Sequence, residues 1–236
     1  MKIQSSKLKK RFGVFFSDET GTTLVEFAIC VSLFLLILFA VIDFSRLGYN
    51  WVVAEKAMQR AVRIAAVRPP VCAGVPSYHA RDSGASTTYG AGTLCSTDGG
   101  VCEQVDVQCL LSNPDGGNPD SQNTADEMWA ALQDLMPEGT DRPNILLQYN
   151  YDRRLGFIGG PYVPLITARI VGSANGNNFN ELMFEFVTPL SSLAAAAGAA
   201  NASSTLPDGP GCTGCIPFPG ISVTLPAEDM NQGMNG

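Results

Sequence analysis

Sixteen consecutive residues, Phe27–Ile42 (FAICVSLFLLILFAVI), contain nothing more polar than Ser32 and Cys30. Extended back through Thr22–Val25, the run reaches about twenty positions, enough for a helix to span roughly 30 Å of hydrocarbon. The extension takes in one acid, Glu26. Charge is distributed unevenly around this segment. Residues 1–21 hold five basic side chains (Lys2, Lys7, Lys9, Lys10, Arg11) against Asp18 and Glu19, a balance of +3. The remainder holds ten basic and twenty acidic residues, a balance of −10. An excess of Lys and Arg on one flank keeps that flank cytoplasmic and sends the other across the membrane. A cleaved secretory signal has a shorter apolar region, about 7–15 residues, closed by small side chains. Here the run ends AVIDFSRLGYNW, so a retained single-pass anchor is the expectation.

Helical patterning continues beyond the apolar run. From Asp43 to Val67 there is no proline, and Phe44, Leu47, Trp51, Ala54, Met58, Ala61 and Ala65 recur at alternating spacings of three and four. They form one apolar stripe, with Arg46, Asn50, Lys56, Arg60 and Arg63 falling off it. Pro69 and Pro70 end the pattern, because proline lacks an amide proton and restricts its predecessor. Residues 22–67 are thus expected to form one helix about 69 Å long, whose outer half lies against a globular domain.

The rest of the chain reads as that domain. Residues 70–123 are rich in Gly, Ser, Asp and Pro, with a weak strand signal over Val101–Gln108. Asn113–Asn123 (NPDGGNPDSQN) reads as a turn-rich loop whose oxygens miss the alternating register of a calcium site. Thr124–Met136 reads as a helix with a Thr124/Glu127 capping box and an apolar face of Met128, Ala131, Leu132 and Leu135. Asn144–Tyr151, Tyr162–Val171 and Leu182–Val187 carry strand signals, with Asn175–Asn178 as the turn between the last two. Leu190–Ala202 is expected to be helical, and Pro207–Gly220 mostly turn. The fold class is therefore α+β: a long N-terminal transmembrane-plus-amphipathic helix packed on a small antiparallel sheet domain with disulfide-rich loops.

Cys30 sits in the apolar run and reads as a small apolar residue. The other six, Cys72, Cys95, Cys102, Cys109, Cys212 and Cys215, all fall on the translocated side and are the disulfide candidates. Six cysteines allow fifteen pairings, and the sequence leaves the choice open. Cys212-Thr-Gly-Cys215 has the spacing of a redox motif or half a zinc site. It lacks a βαβ context, and His79 is the single histidine, so a structural bridge is expected, with no metal and no cofactor. One histidine, no nucleophile motif and no phosphate loop argue against an enzyme. The acidic body repels phosphates and argues against nucleic acid.

The junction Asp18-Glu-Thr-Gly21-Thr22-Thr23-Leu24-Val25-Glu26-Phe27 is the informative motif. A glycine before an apolar segment, then glutamate as the fifth residue after it, resembles the processing site of type IV prepilins. A prepilin peptidase would cut after Gly21, a residue that sets no side chain against the protease. Gly13 is a rival, but its fifth following residue is Asp18 and no apolar segment follows directly. Glu26 has an independent argument: a carboxylate in hydrocarbon costs several kcal/mol and calls for a partner or neutralisation. Cleavage would place a new α-amino group at Thr22, one turn away.

With the TLVEFAICVSLFLLILFAVIDFSR span and its amphipathic continuation, residues 17–68 resemble the TadE-like family of tight-adherence (Tad/Flp) pilus systems. The resemblance implies a membrane-anchored minor pilin or pseudopilin, bound in the inner membrane with its C-terminal domain periplasmic or extracellular. Implied partners are the prepilin peptidase, the major pilin and other minor pilins, and the pilus assembly platform. Implied functional positions are Gly21 and Thr22 for processing and Glu26 and Phe27 for assembly. Thr22 stands where ordinary type IV pilins commonly carry phenylalanine. The segments follow: 1–21 a cytoplasmic basic leader, 22–42 the membrane span, 43–68 its extracytoplasmic continuation, and 69–236 the cysteine-containing domain with a surface for adhesion. The alternative is a signal-anchored extracytoplasmic binding protein, or a secretion-system pseudopilin that enters no pilus.

Overall fold

The computed structural model describes residues 19–137, 139–172, 174–175, 178–179, 182–197, 215–228 and 230. Its dominant element is a single helix, α1, Glu19–Val67, 49 residues and about 74 Å long at 1.5 Å per residue. The first half stands clear of the rest of the protein: Leu24, Phe27, Ile29, Leu33 and Phe34 are all exposed. The second half buries one face, on which Ala54, Ala57, Met58, Ala61, Val62, Ala65 and Ala66 are inaccessible. These positions recur at i, i+3, i+4 and i+7, so they form one stripe. Five of the seven are alanine, which brings the helix backbone close to what it covers.

What it covers is a four-stranded antiparallel sheet made of β1 (Val107–Leu110), β2 (Ile145–Asn150), β3 (Leu165–Ile170) and β8 (Ser222–Pro226), in the order β1-β2-β3-β8. Alternation puts Ile145, Leu147 and Tyr149 of β2 and Ile166, Ala168 and Ile170 of β3 on the helix side. Register aligns them in rows, Tyr149–Ile166–Leu225 and Leu147–Ala168–Val223. The opposite face carries polar cross-strand pairs: Gln148 donates to Gln108 at 3.0 Å, and the Thr167 and Thr224 hydroxyls meet at 2.7 Å. A second helix, α2 (Pro119–Leu132), adds Ala125, Met128 and Leu132 to the core. Arg68, just past the end of α1, pairs with Glu127 of α2 at 3.1 Å. Beyond Pro69 and Pro70 the Val71 amide donates to the Tyr149 hydroxyl at 3.1 Å, which fixes how the chain leaves the helix.

The remaining elements are short. β4 (Ala174–Asn175) pairs with β5 (Asn178–Phe179), and β6 (Met183–Glu185) pairs with β7 (Cys215–Pro217). A seven-residue helix, α3, spans Leu190–Ala196.

The architecture agrees with the α+β expectation, and four local readings are corrected. The second helix begins at Pro119 rather than Thr124: Asn118 is its cap, accepting from the Asp120 amide at 3.0 Å, and Pro119 occupies a position that needs no amide proton. Thr124 lies inside that helix, its hydroxyl donating to the Asp120 carbonyl. Asn175 and Asn178 pair with each other across β4 and β5, and the flanking strands β3 and β6 are not paired together, because β3 is already paired on both edges by β2 and β8. β8 itself, including the alternation Val223/Leu225, went unread in the sequence. On α1, Phe44 and Trp51 of the apolar stripe are exposed, since the sheet begins to cover the helix only near Ala54.

Candidate functional site

Four of the sequence-derived positions share the first turns of α1. Gly21 and Thr22 lie in its helical N-terminal stretch, and Glu26 and Phe27 follow on exposed positions. Thr22 and Glu26 are four residues apart, so they occupy one face with about 6 Å of rise between them. Thr22–Val67 is long and apolar enough to cross a membrane, and the most apolar window of it is wholly uncovered by the protein. From Thr22 to Ile42 the length is about 30 Å, the thickness of a hydrocarbon core.

The apolar half ends in an unanticipated structure. Asp43, the first residue after Ile42, is completely buried. Its carboxylate accepts from the amides of Val187 and Thr188, each at 3.3 Å, and from the Thr188 hydroxyl. Arg46, one turn on, lies 3.6 Å from the same carboxylate and stacks over the Phe184 ring at 5.7 Å. Phe186 meets Phe44 edge-on at 6.1 Å and Phe184 at 5.7 Å. The segment after β6 is thus clasped to α1 at the boundary of the apolar run. A carboxylate placed directly after sixteen apolar residues was the visible signal, but its partners lie 144 and 145 residues away.

The cysteine loops form a separate region. Cys72 pairs with Cys109 and Cys95 with Cys102. Cys215 is also disulfide-bonded, Cys212 lies outside the described residues, and Cys30 is a free, exposed thiol on α1. The first bridge ties the exit of α1 to β1. The second sits in a small core with Val101 and Ile158, roofed by Tyr89 and Tyr151.

His79 lies beside that second core. It is buried, its Nε2 accepts from the Val163 amide at 3.1 Å, and its backbone exchanges bonds with Gly159 and Gly160. Burial lowers its pKa, which favours the neutral ring. Gly156, at φ +78°, comes so close that a Cβ there would lie 2.1 Å from Nε2. Ligand atoms of His79, Cys95 and Cys102 all fall within 4.8 Å of one another. Both sulfurs are committed to each other, however, and a disulfide sulfur is not the thiolate that a soft metal needs. The arrangement is a packed bridge against a neutral histidine. The Tyr149 and Tyr162 hydroxyls are pushed up to about 12 by burial, so both serve as neutral hydrogen-bonding groups. Tyr162 donates to the Val105 carbonyl at 2.7 Å.

One surface hollow lies on the outer face of the sheet, about 330 Å³, bordered by Gln148, Thr167, Arg169 and Ser222. It brings no nucleophile–base pair together.

A family model described as TadE-like protein matches residues 21–63. Over this stretch the chain is similar to that family. The TadE-like match opens on Gly21 and closes on Arg63, so it lies entirely within α1 and takes in Glu26, the bare apolar half, the Asp43 clasp and most of the buried stripe. The sheet and the cysteine loops lie outside it. No match was found among curated proteins or among solved structures.

Proposed function

We propose that the chain is a minor pilin or pseudopilin of a tight-adherence (Tad/Flp) pilus, anchored in the bacterial inner membrane and cut by a prepilin peptidase after Gly21. The observation that carries this reading is the TadE-like match beginning on Gly21, on a helix whose apolar stretch Phe27–Ile42 stands uncovered. The role is structural. Residues 1–21 stay in the cytoplasm through their basic charge, 22–42 span the bilayer, 43–68 continue the helix outside, and 69–236 form the outward domain.

In this reading the peptidase needs an extended substrate, and Gly21 leaves the backbone free to adopt one. Cleavage leaves a cationic α-amino group on Thr22. Glu26 lies on the same face about 6 Å further along, placed to pair with that cation on its own or a neighbouring subunit. Pairing would offset the cost of a carboxylate in hydrocarbon. Phe27, beside it and 70 % exposed, would pack against a neighbouring helix. Partners are the peptidase, the major and other minor pilins and the assembly platform, and the loop-rich domain would serve adhesion.

Intact mass and N-terminal sequencing of the membrane-extracted protein, with and without the peptidase, test this. The expected mature chain begins at Thr22 only when the peptidase is present, and deletion of the gene abolishes piliation or attachment. A chain retaining Met1 or Lys2 in both strains would refute processing and leave a signal-anchored extracytoplasmic protein.

A further inference from the structure

The clasp sets the level at which the globular domain meets the helix. Asp43 follows Ile42 directly, about 1.5 Å further along the axis, so its bonds to the Val187 and Thr188 amides hold that turn beside the end of the apolar run. The buried stripe at Ala54–Ala66, by contrast, begins eleven residues higher, about 17 Å further from the span. Among the described residues of the domain, the Val187–Thr188 turn that leads into α3 is thus held at the end of the apolar run.

Phe186 to Ala197 contains no charged residue, although the chain beyond residue 21 carries a balance of −10. Leu190 and Ala194, one turn apart on α3, face the core. Val187 and Leu193 point away from it and are 73 % and 55 % exposed. On α1 at the same level, Phe44 is exposed too. Aromatic residues at the end of a span mark the headgroup layer, which is about 5–7 Å thick on each side.

We propose that the Val187–Leu193 edge of the domain rests on the outer surface of the membrane that α1 spans, with Val187 and Leu193 seated at the boundary between headgroups and acyl chains. The inference rests on the reading of α1 as a membrane span. Lipid is the occupant because this apolar edge adjoins the uncovered span through the Phe44–Phe186 contact. Phe186–Ala197 itself carries no carboxylate, which limits the repulsion it would meet at an anionic bilayer. Arg46, partly exposed beside Asp43, adds a cation at the depth of the phosphates.

Site-specific quenching tests the proposal. Full-length Cys30→Ala protein is reconstituted in phosphatidylethanolamine/phosphatidylglycerol nanodiscs and labelled with an environment-sensitive fluorophore at one of four new cysteines. These are Val187→Cys, Leu193→Cys, Leu36→Cys within the span, and Thr87→Cys in a distant exposed loop. Peptide mapping of the Cys72–Cys109 and Cys95–Cys102 bridges confirms the fold of each variant. Lipids carrying a nitroxide near the headgroup should quench the labels at 187 and 193 several-fold more than the label at 87, while a deep nitroxide quenches the label at 36. Water-like, unquenched labels at 187 and 193 with Leu36 quenched would overturn the proposal and leave the anchor intact. Protection of those labels only on addition of a pilin, without lipid quenching, would overturn it equally. An unquenched label at Leu36 would refute the membrane span itself.

Discussion

Replacing Asp43 with alanine should release the segment after β6 while leaving the sheet folded. The carboxylate accepts three hydrogen bonds, two from amides at 3.3 Å and one from the Thr188 hydroxyl. Bonds to a charged group contribute about 1.5–3 kcal/mol each, but 3.3 Å is long for N–H···O and water can reach amides freed in a partly buried turn. The Arg46 contact adds little, since its side chain is 37 % exposed and solvent screens such pairs to about 0–1 kcal/mol. Breaking a buried charged contact by removing one partner costs about 3–5 kcal/mol, and with both discounts the lower end applies, about 3 kcal/mol. Because Ala54–Ala66 hold α1 to the sheet independently, this loss should appear as local opening. In hydrogen exchange, the Val187 and Thr188 amides should exchange on the order of a hundredfold faster, with the amides of Ile145–Asn150 unchanged. Asp43→Asn, which keeps one acceptor oxygen, should fall between alanine and wild type. Unaltered protection at Val187 and Thr188 in Asp43→Ala would refute the clasp. Equal acceleration across β2 and β3 would show that the clasp belongs to the global fold.

The two described bridges should differ in worth. By loop-closure entropy, Cys72–Cys109, with a separation of 37 residues, stabilises by about 4 kcal/mol, and Cys95–Cys102, with a separation of 7, by about 2.4 kcal/mol. Paired alanine variants in denaturant titrations should rank in that order, and a larger loss for the shorter loop would contradict it. Stability should also depend on His79. Its pKa in the fold lies below the ordinary 6.5, so the unfolded chain binds the proton more readily. Stability is then full above about pH 6.5 and declines as pH falls from there towards the folded value. His79→Gln, which keeps an acceptor for the Val163 amide, should flatten that part of the urea-midpoint curve; an identical slope would place its origin elsewhere. Gly156→Ala should destabilise by at least the ~1–2 kcal/mol that a left-handed conformation costs, because the added Cβ also strikes the His79 ring. A melting temperature within a degree of wild type would refute the contact.

What was legible in the sequence was what is encoded locally. Phe27–Ile42 states its environment by composition, and Ala54, Met58, Ala61 and Ala65 state the buried face of α1 by spacing. β2 and β3 announced themselves through runs such as Ile145-Leu-Leu and Leu165-Ile between turn residues. The start of α2 was obscured because Asn118-Pro119 serves equally as a turn or as a cap followed by a first helical residue. β8 was obscured because Ser222–Pro226 is short, half-exposed and ended by proline at a sheet edge, where proline is allowed. Pairing among six cysteines depends on long-range register. Cys72 meets Cys109 because β1 pairs with β2 beneath the exit of α1, so that the Cys72 sulfur also lies against the Leu147 carbonyl. Asp43 was visible as an acid after an apolar run, but nothing near it names Thr188 as its partner.

The division of α1 limits which of its surfaces can take part in assembly. Above Ala54 the apolar stripe is already spent on the sheet and α2, and helix–helix contacts between subunits would have to displace that core. Below Asp43 the helix is largely uncovered, so in the proposed role lipid and neighbouring helices compete for the same residues. In that role a subunit leaving the bilayer for a filament must replace lipid contact over 22–42 with protein contact, since water is the only other environment and exposing this much apolar surface is prohibitive. Between the two regions lies the clasp, where Asp43 joins the domain to the helix one residue above the span. Pulling the helix outward would carry the Val187–Leu193 edge off the membrane in the same step. In the proposed pilus role, release of that edge and entry of residues 22–42 into a bundle are then one event, and an Asp43 variant that frees the edge should uncouple them.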